Sequence, residues 1–332
     1  MQIRNLQVFC DVVRRSSFSK AAADNSMTQS GASQAVQQLE EFLKVQLIDR
    51  SKRPLQLTAE GRVFHSGCLE IVKRFESLSE EVRAVNSEVR GKASVAAIYS
   101  VGLSYLPKLQ KRFKVENPVA DVRYQFGHPD EVYRLVEDGI VDFGLVSYPE
   151  SSKAVKATLW REESMILAAA PTHPLAGKRD ITTEDLSAEA LVAFAPNLRI
   201  RHEIDRYLRQ VGVTMPIAAE FDNIDSVKHG MALYQAVAFL PRPTVVEELQ
   251  ARQLVQLDCP WMQLSRPLGI IQCRSLTLSR TARGVMELFI ADAQHAANIS
   301  EAGQAHCAEP AMSTQTAGDM NADDISDINR NI

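Results

Sequence analysis

A row of uncharged, hydrogen-bonding side chains lies near the start of the chain. Ser30, Gln34 and Gln37 recur at spacings of four and three, with Ser33 on the flank, so on a helix they share one face. Such side chains suit base edges in the major groove of double-stranded DNA, where Gln can pair bidentately with adenine. A solvated helix in any small helical domain would show a similar face. The candidate DNA-binding residues of this helix are Thr28, Gln29, Ser30, Ser33, Gln34 and Gln37.

The opposite face of the same segment is apolar. Ala32, Val36, Leu39 and Leu43 recur at spacings of four, three and four, which predicts one narrow buried stripe along a helix. Thr28 can cap the start of this helix, where backbone N–H groups also favour phosphate. With the preceding short helical segment, the pattern predicts a helix-turn-helix, in which the early residues of the second helix reach the bases.

A basic turn follows the second helix. Arg50, Lys52 and Arg53 precede Pro54, and apolar and polar residues then alternate up to Leu57. Alternation after a proline-containing turn predicts a short returning strand, so the cations would lie at the tip of a hairpin wing. Arg50, Lys52 and Arg53 are therefore predicted to contact DNA phosphates.

These residues resemble the N-terminal pattern of the LysR-type transcriptional regulators. The resemblance implies a winged helix-turn-helix, a long pairing helix and a two-lobed effector-binding region similar to periplasmic solute-binding proteins. Asn25, Lys44 and Ile48 depart from the Leu, Gly and Phe that are usual in the family, which makes the turn geometry less standard. The matching residues are Leu6, Phe9, Ser17, Phe18, Ala21, Ala22, Gln29, Ser33, Leu39, Glu40, Leu43, Leu47, Arg50, Leu57, Thr58 and Gly61.

Charge is unevenly distributed along the 332 residues. The formal net charge is −4, but residues 298–332 hold six carboxylates against Arg330 alone. Residues 1–58 hold eight Lys or Arg against five Asp or Glu, so positive charge lies where DNA would bind. The acidic tail, 298–332, is poor in large apolar residues and is predicted to be disordered.

No apolar run long enough to span a membrane and no signal-peptide core appears, so we expect a soluble cytoplasmic protein. The five cysteines show neither CxxC nor metal-ligand spacing, which predicts buried thiols, with a redox-active pair as the alternative. The cysteines are Cys10, Cys68, Cys259, Cys273 and Cys307.

Residues 59–92 predict a dimerising linker helix between a DNA-binding domain, 1–58, and an effector-binding domain, 93–297. Its apolar residues alternate at spacings of four and three without a break, and this heptad repeat favours helix pairing over docking on the helix's own core. A homodimer would present two recognition helices to a pseudo-palindromic site. Family resemblance suggests a tetramer of two dimers. The residues of the repeat are Phe64, Cys68, Ile71, Phe75, Leu78, Val82, Val85 and Val89.

Strand-like and helix-like runs alternate after residue 93, which predicts an α/β fold with mostly parallel sheets. We expect two lobes: lobe I from 93–148 and 268–297, and lobe II from 156–262. Proline-containing loops at 148–156 and 260–267 would carry the chain between them.

Ligands of open α/β folds bind beyond the carboxyl ends of the strands. This rule places a small-molecule effector between the lobes, and helix N-termini nearby make an anion plausible. Arg199, Arg201 and His202 could add positive charge, and each polar candidate could instead be a simple helix cap. The candidate effector-binding residues are Tyr99, Ser100, His128, Ser147, Pro196, Asn197 and Asn223.

Enzyme motifs are absent from the sequence: there is no nucleophile elbow, phosphate-binding loop, dinucleotide fingerprint or metal-ligand spacing. We therefore expect no catalysis, cofactor or metal. The pattern favours a sequence-specific DNA-binding regulator controlled by a small molecule. The alternative is a solute-binding or enzymatic α/β protein with an accessory helical domain.

Overall fold

The computed structural model describes residues 2–83 and 91–306, and its N-terminal part is a helical domain with a short hairpin. Three helices, α1 (Ile3–Arg15), α2 (Phe18–Asp24) and α3 (Gln29–Leu43), precede the paired strands β1 (Ile48–Asp49) and β2 (Gln56–Leu57). The predicted stripe of α3 faces the core between these helices, since Ala32, Val36 and Leu39 are buried. Thr28 caps α3, as its Oγ1 accepts a hydrogen bond from the Gly31 amide at 3.1 Å.

Three turns of this domain use left-handed backbone without glycine, the first at Ser16 (φ 47°), which ends α1. Ser26 (φ 51°) lies between α2 and α3, and Lys44 (φ 57°) ends α3 where the resembling family has Gly. Such conformations disfavour residues with a Cβ. Next to Ser26, the Asn25 side chain ties the end of α2 to α1, because its Nδ2 donates to Asp11 Oδ2 at 2.7 Å and to the Ala21 carbonyl at 2.9 Å.

The linker helix α4 (Ala59–Arg83) divides its apolar repeat between two environments. Phe64 and Cys68 pack into the core of the helix-turn-helix, with the Phe64 and Phe9 rings 5.6 Å apart. The prediction that the whole repeat forms a seam between copies is therefore wrong for this first part, because α1 already covers it. The exposed part of the repeat is Ile71, Phe75, Leu78 and Val82, while Val85 and Val89 lie outside the described residues.

Gly61 marks the point where α4 meets the wing. A Cβ built at Gly61 would lie 2.0 Å from the Leu47 carbonyl oxygen, so only glycine fits this approach. The Thr58 hydroxyl donates to the Gln46 carbonyl at 2.7 Å and accepts from the Gly61 amide at 2.9 Å. These contacts set the angle between the wing and α4.

Lobe I is built on a parallel core. Strand β3 (Lys92–Ile98) pairs in parallel with β4 (Asp121–Gly127) and β5 (Phe143–Ser147). Helices α5 (Tyr99–Glu116) and α6 (Pro129–Glu137) make the connections, which is the βα alternation expected from the sequence. Buried Phe143 and Phe289 meet in the core at 6.1 Å. Phe289 lies on α11 (Arg280–His306).

Lobe II combines short parallel and antiparallel strands around its own apolar core. Strand β7 (Leu191–Phe194) pairs in parallel with β8 (Ile217–Phe221), and a parallel bridge joins Leu191 to Val237. Its other elements are helices α7 (Thr183–Ser187), α8 (Arg199–Gln210), α9 (Ile224–Tyr234) and α10 (Val246–Gln250), two 3-10 turns (Pro174–Gly177 and Arg242–Val245), and strands β9 (Ala238–Pro241) and β10 (Val255–Gln256).

Two long strands, not loops, connect the lobes, which corrects the predicted crossings at 148–156 and 260–267. Strand β6 (Val155–Ala169) pairs antiparallel with β11 (Ser265–Cys273) up to Ser164, and antiparallel with β9 and β10 from Met165 onward. The lobes therefore meet inside the strands, near Ser164 and Ser265, rather than at residues 156 and 262. The first part of β6 was not predicted as a strand because charged residues interrupt its apolar pattern. Since β11 is also antiparallel to β5, the prediction of mostly parallel sheets is wrong.

The C-terminal boundary also differs from the expected one. Helix α11 continues to His306, so the predicted disordered tail is helical over 298–306, where Ala, Glu and Gln favour helix. The rest of the tail, 307–332, lies outside the described residues. Within the described ranges, no helix is both long and apolar enough to cross a bilayer.

Candidate functional site

The outer face of α3 presents the side chains predicted to read DNA. Gln29, Ser30 and Gln34 are exposed, and so are Thr28 and Gln37. Three of these side chains already have local partners: the Thr28 and Ser30 hydroxyl oxygens lie 3.0 Å apart, and Gln37 Nε2 donates to Glu41 Oε1 at 2.9 Å. Gln37 keeps its amide oxygen as an acceptor. The face is thus a set of hydrogen-bonding groups held on a helix that α1 and α2 support.

Glu40, on the same helix, joins α3 to the wing. Its Oε1 accepts from the backbone amides of Leu47 (2.9 Å) and Ile48 (3.2 Å), and its Oε2 accepts from Arg50 Nη2 (2.9 Å). The Arg50 guanidinium also lies 5.3 Å from the centre of the Phe18 ring. One carboxylate therefore binds two amides and one cation at the base of the wing.

In this arrangement the three cations predicted to contact phosphate have different surroundings. Arg50 is committed to Glu40, and its Nη1 lies 3.5 Å from Ser33 Oγ, so it orders the site from within. Arg53 donates from Nη1 to the carbonyls of Arg50 and Lys52, at 3.0 Å each. Lys52 and Arg53 are exposed at the tip. The ion pair between Arg50 and Glu40 was not predicted from the sequence. The one hint was an acidic residue, Glu40, ten residues before Arg50.

The residues predicted to bind an effector fall into two groups. Tyr99, the first residue of α5, stacks on Phe126 at 6.3 Å and meets the edge of His128 at 6.1 Å. His128 Nε2 lies 3.9 Å from Asp222 Oδ2 in lobe II, and Ser147 ends β5. Tyr99 and His128 therefore lie on lobe I where lobe II faces it.

The predicted residues of lobe II have other roles. Asn223 caps α9, as its Oδ1 accepts from the Ser226 amide at 2.8 Å, which is the simple capping role considered for it. Pro196 and Asn197 are exposed in the turn before α8. Arg201 is bound within lobe II, by Asp205 at 2.8 Å and Glu220 at 2.7 Å.

Ser100 belongs to a buried charged cluster where the two lobes meet. Its Oγ accepts from Arg266 Nη1 at 3.2 Å, and Arg266 Nε donates to Glu163 Oε2 at 2.8 Å. The side chains of Arg266 and Glu163 are only 2% and 1% exposed. Glu163 Oε1 accepts from the Tyr105 hydroxyl at 2.7 Å, and burial raises the pKa of Tyr105. The ion pair thus connects β6, β11 and α5 at the crossing point.

Tyr148, whose backbone amide donates to the Pro267 carbonyl at 2.8 Å, adds a buried hydroxyl beside this crossing. Its OH is buried and has no hydrogen-bond partner among the described residues. Burial raises its pKa to about 12, and the positive charge of Arg266 opposes that rise. At neutral pH the hydroxyl is therefore protonated and can donate. Within the described residues no side chain caps the start of α5, so its first amides are further donors near Ser100.

Sequence reasoning missed Arg266, Glu163 and Tyr105, and did not include Tyr148 in the site. The signal available in the sequence was a pair of opposite charges near the lobe boundary. Glu163 lies just before the apolar run that begins at Met165, and Arg266 lies just before the run that begins at Leu268. One further ion pair joins the lobes, between Arg199 Nη1 and Glu150 Oε1 at 2.6 Å. In the ranges 2–83 and 91–306, no group of three or more His, Cys, Asp or Glu is placed to hold a metal.

Two family models match the chain. The bacterial regulatory helix-turn-helix protein model of the lysR family matches residues 3–62, and the LysR substrate binding domain model matches residues 86–294. Together they span the helix-turn-helix and both lobes. The helix-turn-helix domain and the two-lobed domain are thus the two regions that the models match.

Relatives match over most of their length. An uncharacterized HTH-type transcriptional regulator of Escherichia coli K12, YeiE, is 27% identical over 285 residues, covering 86% of this chain and 96% of the relative. The RuBisCO operon transcriptional regulator of Allochromatium vinosum is 25% identical over 308 residues, covering 92% and 98%.

Solved structures share the fold. A full-length OxyR variant from Pseudomonas aeruginosa aligns with a TM-score of 0.71 at 18% identity, covering 88% of this chain and 94% of that one. Full-length CbnR in complex with its target DNA aligns with a TM-score of 0.58 at 19% identity, covering 89% and 99%.

Proposed function

Since the chain belongs to the LysR family of bacterial transcriptional regulators, we propose that it reads a two-part DNA site as a homodimer under the control of a small anion. The chain is a DNA-binding transcriptional regulator with an effector-binding domain. What is proposed is the set of residues that read DNA, the assembly and the class of effector.

The proposed reading face consists of Gln29, Ser30 and Gln34, with Ser33 and Gln37 beside them. The observation that carries it is the exposure of Gln29, Ser30 and Gln34 on a helix whose opposite face is buried at Ala32, Val36 and Leu39. Thr28 and the first amides of α3 would meet phosphate, as would Lys52 and Arg53 from the wing. Arg50 orients the wing through Glu40 and is proposed to touch phosphate only secondarily.

The proposed assembly is a dimer formed through α4, with two dimers forming a tetramer. The exposed apolar side chains that carry this proposal are Ile71, Phe75, Leu78 and Val82, which recur at spacings of four, three and four. A contiguous exposed apolar row of this kind is typical of an interaction surface. Two copies joined here would place two recognition helices on successive half-sites. A regulator that reads bacterial chromosomal DNA would act in the cytoplasm.

The proposed effector is a small carboxylate or other small anion held between the lobes. Ser100, Arg266 and Tyr148 would supply donors, together with the uncapped amides of α5. The bound anion would favour one arrangement of the lobes. The shift it can cause is limited by its difference in affinity for the two arrangements.

Gln34→Ala tests the reading face. Against duplexes selected by the wild-type protein from a random-sequence library, we expect a loss of about 1–3 kcal/mol, or roughly fivefold to 150-fold in affinity, if Gln34 makes a bidentate contact to a base. Binding to unselected duplex should hardly change, because phosphate contacts supply most of it. Fluorescence anisotropy at two salt concentrations measures both quantities.

Gln7→Ala is the matched control, since Gln7 is an exposed glutamine on α1. Its affinity for the selected duplexes should equal that of the wild type. Equal affinities for all three proteins would remove Gln34 from the reading face.

Ligand-induced stabilisation tests the effector class. The full chain is heated with small carboxylates, each paired with its own neutral amide, and with sulfate and phosphate. An anion at a hundred times its Kd should stabilise the protein by about 2.7 kcal/mol, which raises the unfolding midpoint. Ser100→Ala should weaken that shift, measured from the variant's own unliganded midpoint, because the variant itself loses about 1 kcal/mol of stability when Arg266 Nη1 loses this acceptor. An amide that stabilises as well as its carboxylate would contradict the anion proposal, while leaving the DNA proposal intact.

A further inference from the structure

The linker helix α4 meets lobe I of its own chain through an ion pair. Lys73 Nζ lies 3.4 Å from Asp142 Oδ1 and 3.5 Å from the Val141 carbonyl oxygen, just before the start of β5. The side chains of Lys73 and Asp142 are only 18% and 14% exposed, so the pair is largely withdrawn from water. The function proposed above makes no use of this contact.

Asp142 is held firmly within lobe I. Its backbone amide donates to the Ser94 carbonyl at 2.9 Å, and its Oδ2 accepts from the Ser94 amide at 2.8 Å and from the Ser94 hydroxyl at 3.1 Å. Ser94 lies in β3, which pairs in parallel with β5. Lobe I therefore fixes one oxygen of this carboxylate, and the other oxygen, Oδ1, meets the cation on α4.

An apolar contact lies one turn earlier on the same face of α4. Leu69 precedes Lys73 by four residues, so the two side chains share a face of the helix. Leu69 lies against the turn that follows α6: a Cβ built at Gly139 would be 3.3 Å from Leu69 Cδ1 and 2.8 Å from Leu276 Cδ1. Gly139 has φ 64°, a conformation that favours glycine. Two successive turns of α4 therefore contact lobe I.

This contact leaves the proposed pairing face of α4 uncovered. Ile71 and Phe75 follow Leu69 and Lys73 by two residues each, which places them about 200° further round the helix. Ile71 and Phe75 are exposed. One side of α4 is thus applied to lobe I, while the opposite side is open to a second copy of the chain.

We propose that Lys73 and Asp142 are a positioning pair that sets the direction of α4, and of the DNA-reading face joined to it, relative to lobe I. The role rests on the proposed dimer, since the direction of α4 in each copy then decides how far apart the two reading faces lie. Separating the pair would leave Asp142 Oδ1 without its cation at a place that is poorly exposed to water, which favours a single arrangement.

The position of the pair has a consequence for control by an effector. Strand β3 carries Ser94 near its start and leads directly into α5, which holds Ser100; strand β5 follows Asp142 and ends one residue before Tyr148. The same two paired strands therefore hold the contact with α4 at one end and proposed effector-binding residues at the other. Because α4 is fixed to lobe I, the reading unit follows lobe I when the two lobes rearrange.

A zero-length cross-link tests the contact itself. A water-soluble carbodiimide condenses an amine with a carboxylate that touches it, so that an amide forms and one water is lost. After trypsin, we expect the peptide 63–74, uncut at the acylated Lys73, to be joined to the peptide 135–153 through Asp142. When isotopically light and heavy copies are unfolded and refolded together, each joined product should be entirely light or entirely heavy.

The dependence of DNA affinity on half-site spacing tests the positioning role. Half-sites taken from duplexes that the wild-type protein selects are separated by spacers that vary over one helical turn. The wild type should prefer its best spacer by about tenfold or more over one that differs by half a turn, which moves the second half-site to the other side of the duplex.

Lys73→Met keeps most of the stem and removes the cation, so the spacer preference should fall to about threefold or less. Affinity for a single half-site should stay at the wild-type level, because the reading face is unchanged. Asp142 keeps both hydrogen bonds from Ser94 in this variant, so lobe I should remain folded. Lys73→Arg restores a cation and should restore the preference. Lys111→Met, at an exposed lysine of α5, is the matched control and should keep it.

The positioning role is overturned if Lys73→Met retains the spacer preference of the wild type. It is equally overturned if the joined peptides are missing, or if they combine one light and one heavy copy. A wild type that is indifferent to spacing contradicts the proposed dimer instead, and the cross-link then decides by itself whether α4 is fixed to lobe I.

Discussion

Arg266→Met is expected to destabilise the effector-binding domain by about 3–5 kcal/mol, because it leaves the Glu163 carboxylate buried without its cation. The side chains are 2% and 1% exposed, so water cannot replace the lost partner. Methionine keeps much of the arginine stem and its packing. Equilibrium urea unfolding, followed by the fluorescence of Trp160 and Trp261, measures the loss.

The matched control removes both charges. In Arg266→Met combined with Glu163→Leu, no unpaired charge is buried, and apolar replacement of a buried ion pair is often neutral or stabilising. Tyr105 loses its acceptor in this variant, which costs about 1 kcal/mol. The double variant should therefore be more stable than Arg266→Met alone. If the single variant is as stable as the wild type, the ion pair does not support the crossing between the lobes.

Leu78→Asp combined with Val82→Asp is expected to convert the proposed dimer to a monomer. Both side chains are exposed in the single chain, at 47% and 67%, so the substitutions should not disturb its own core. In a paired seam, however, two aspartates per copy would be buried without partners, which is strongly unfavourable. Sedimentation velocity reports the change in mass directly.

Val63→Asp is the control for this second prediction. Val63 is 78% exposed on the same helix but lies outside the repeat, so this variant should remain a dimer. The monomeric variant should also bind a two-half-site duplex far more weakly than the control does. A dimer that survives both aspartates would show that the copies associate elsewhere.

Local periodicity made the helix-turn-helix predictable. The buried stripe of α3 appears in the sequence as Ala32, Val36 and Leu39, and the cap appears as Thr28, because both depend on residues a few positions apart. The α/β alternation of the lobes was readable for the same reason. The two family models confirm the overall class and both domain types.

Contacts between distant segments were not predictable. Arg266 and Glu163 are 103 residues apart and pair only because β6 and β11 run side by side. The first half of β6 looked like a loop, since Arg161 and Glu162 interrupt its apolar pattern. Similarly, α1 covers Phe64 and Cys68, and nothing in the spacing of α4 distinguishes a residue covered by its own domain from one that is free to pair.

The Glu40 carboxylate makes the recognition helix and the wing a single rigid unit. This one side chain accepts three hydrogen bonds from the base of the wing, and these bonds fix the distance between the outer face of α3 and the wing tip that carries Lys52. Because this distance is fixed, the unit cannot adjust to a DNA groove by bending between α3 and the wing. In the proposed dimer, adjustment to the spacing of the half-sites must therefore come from the two linker helices.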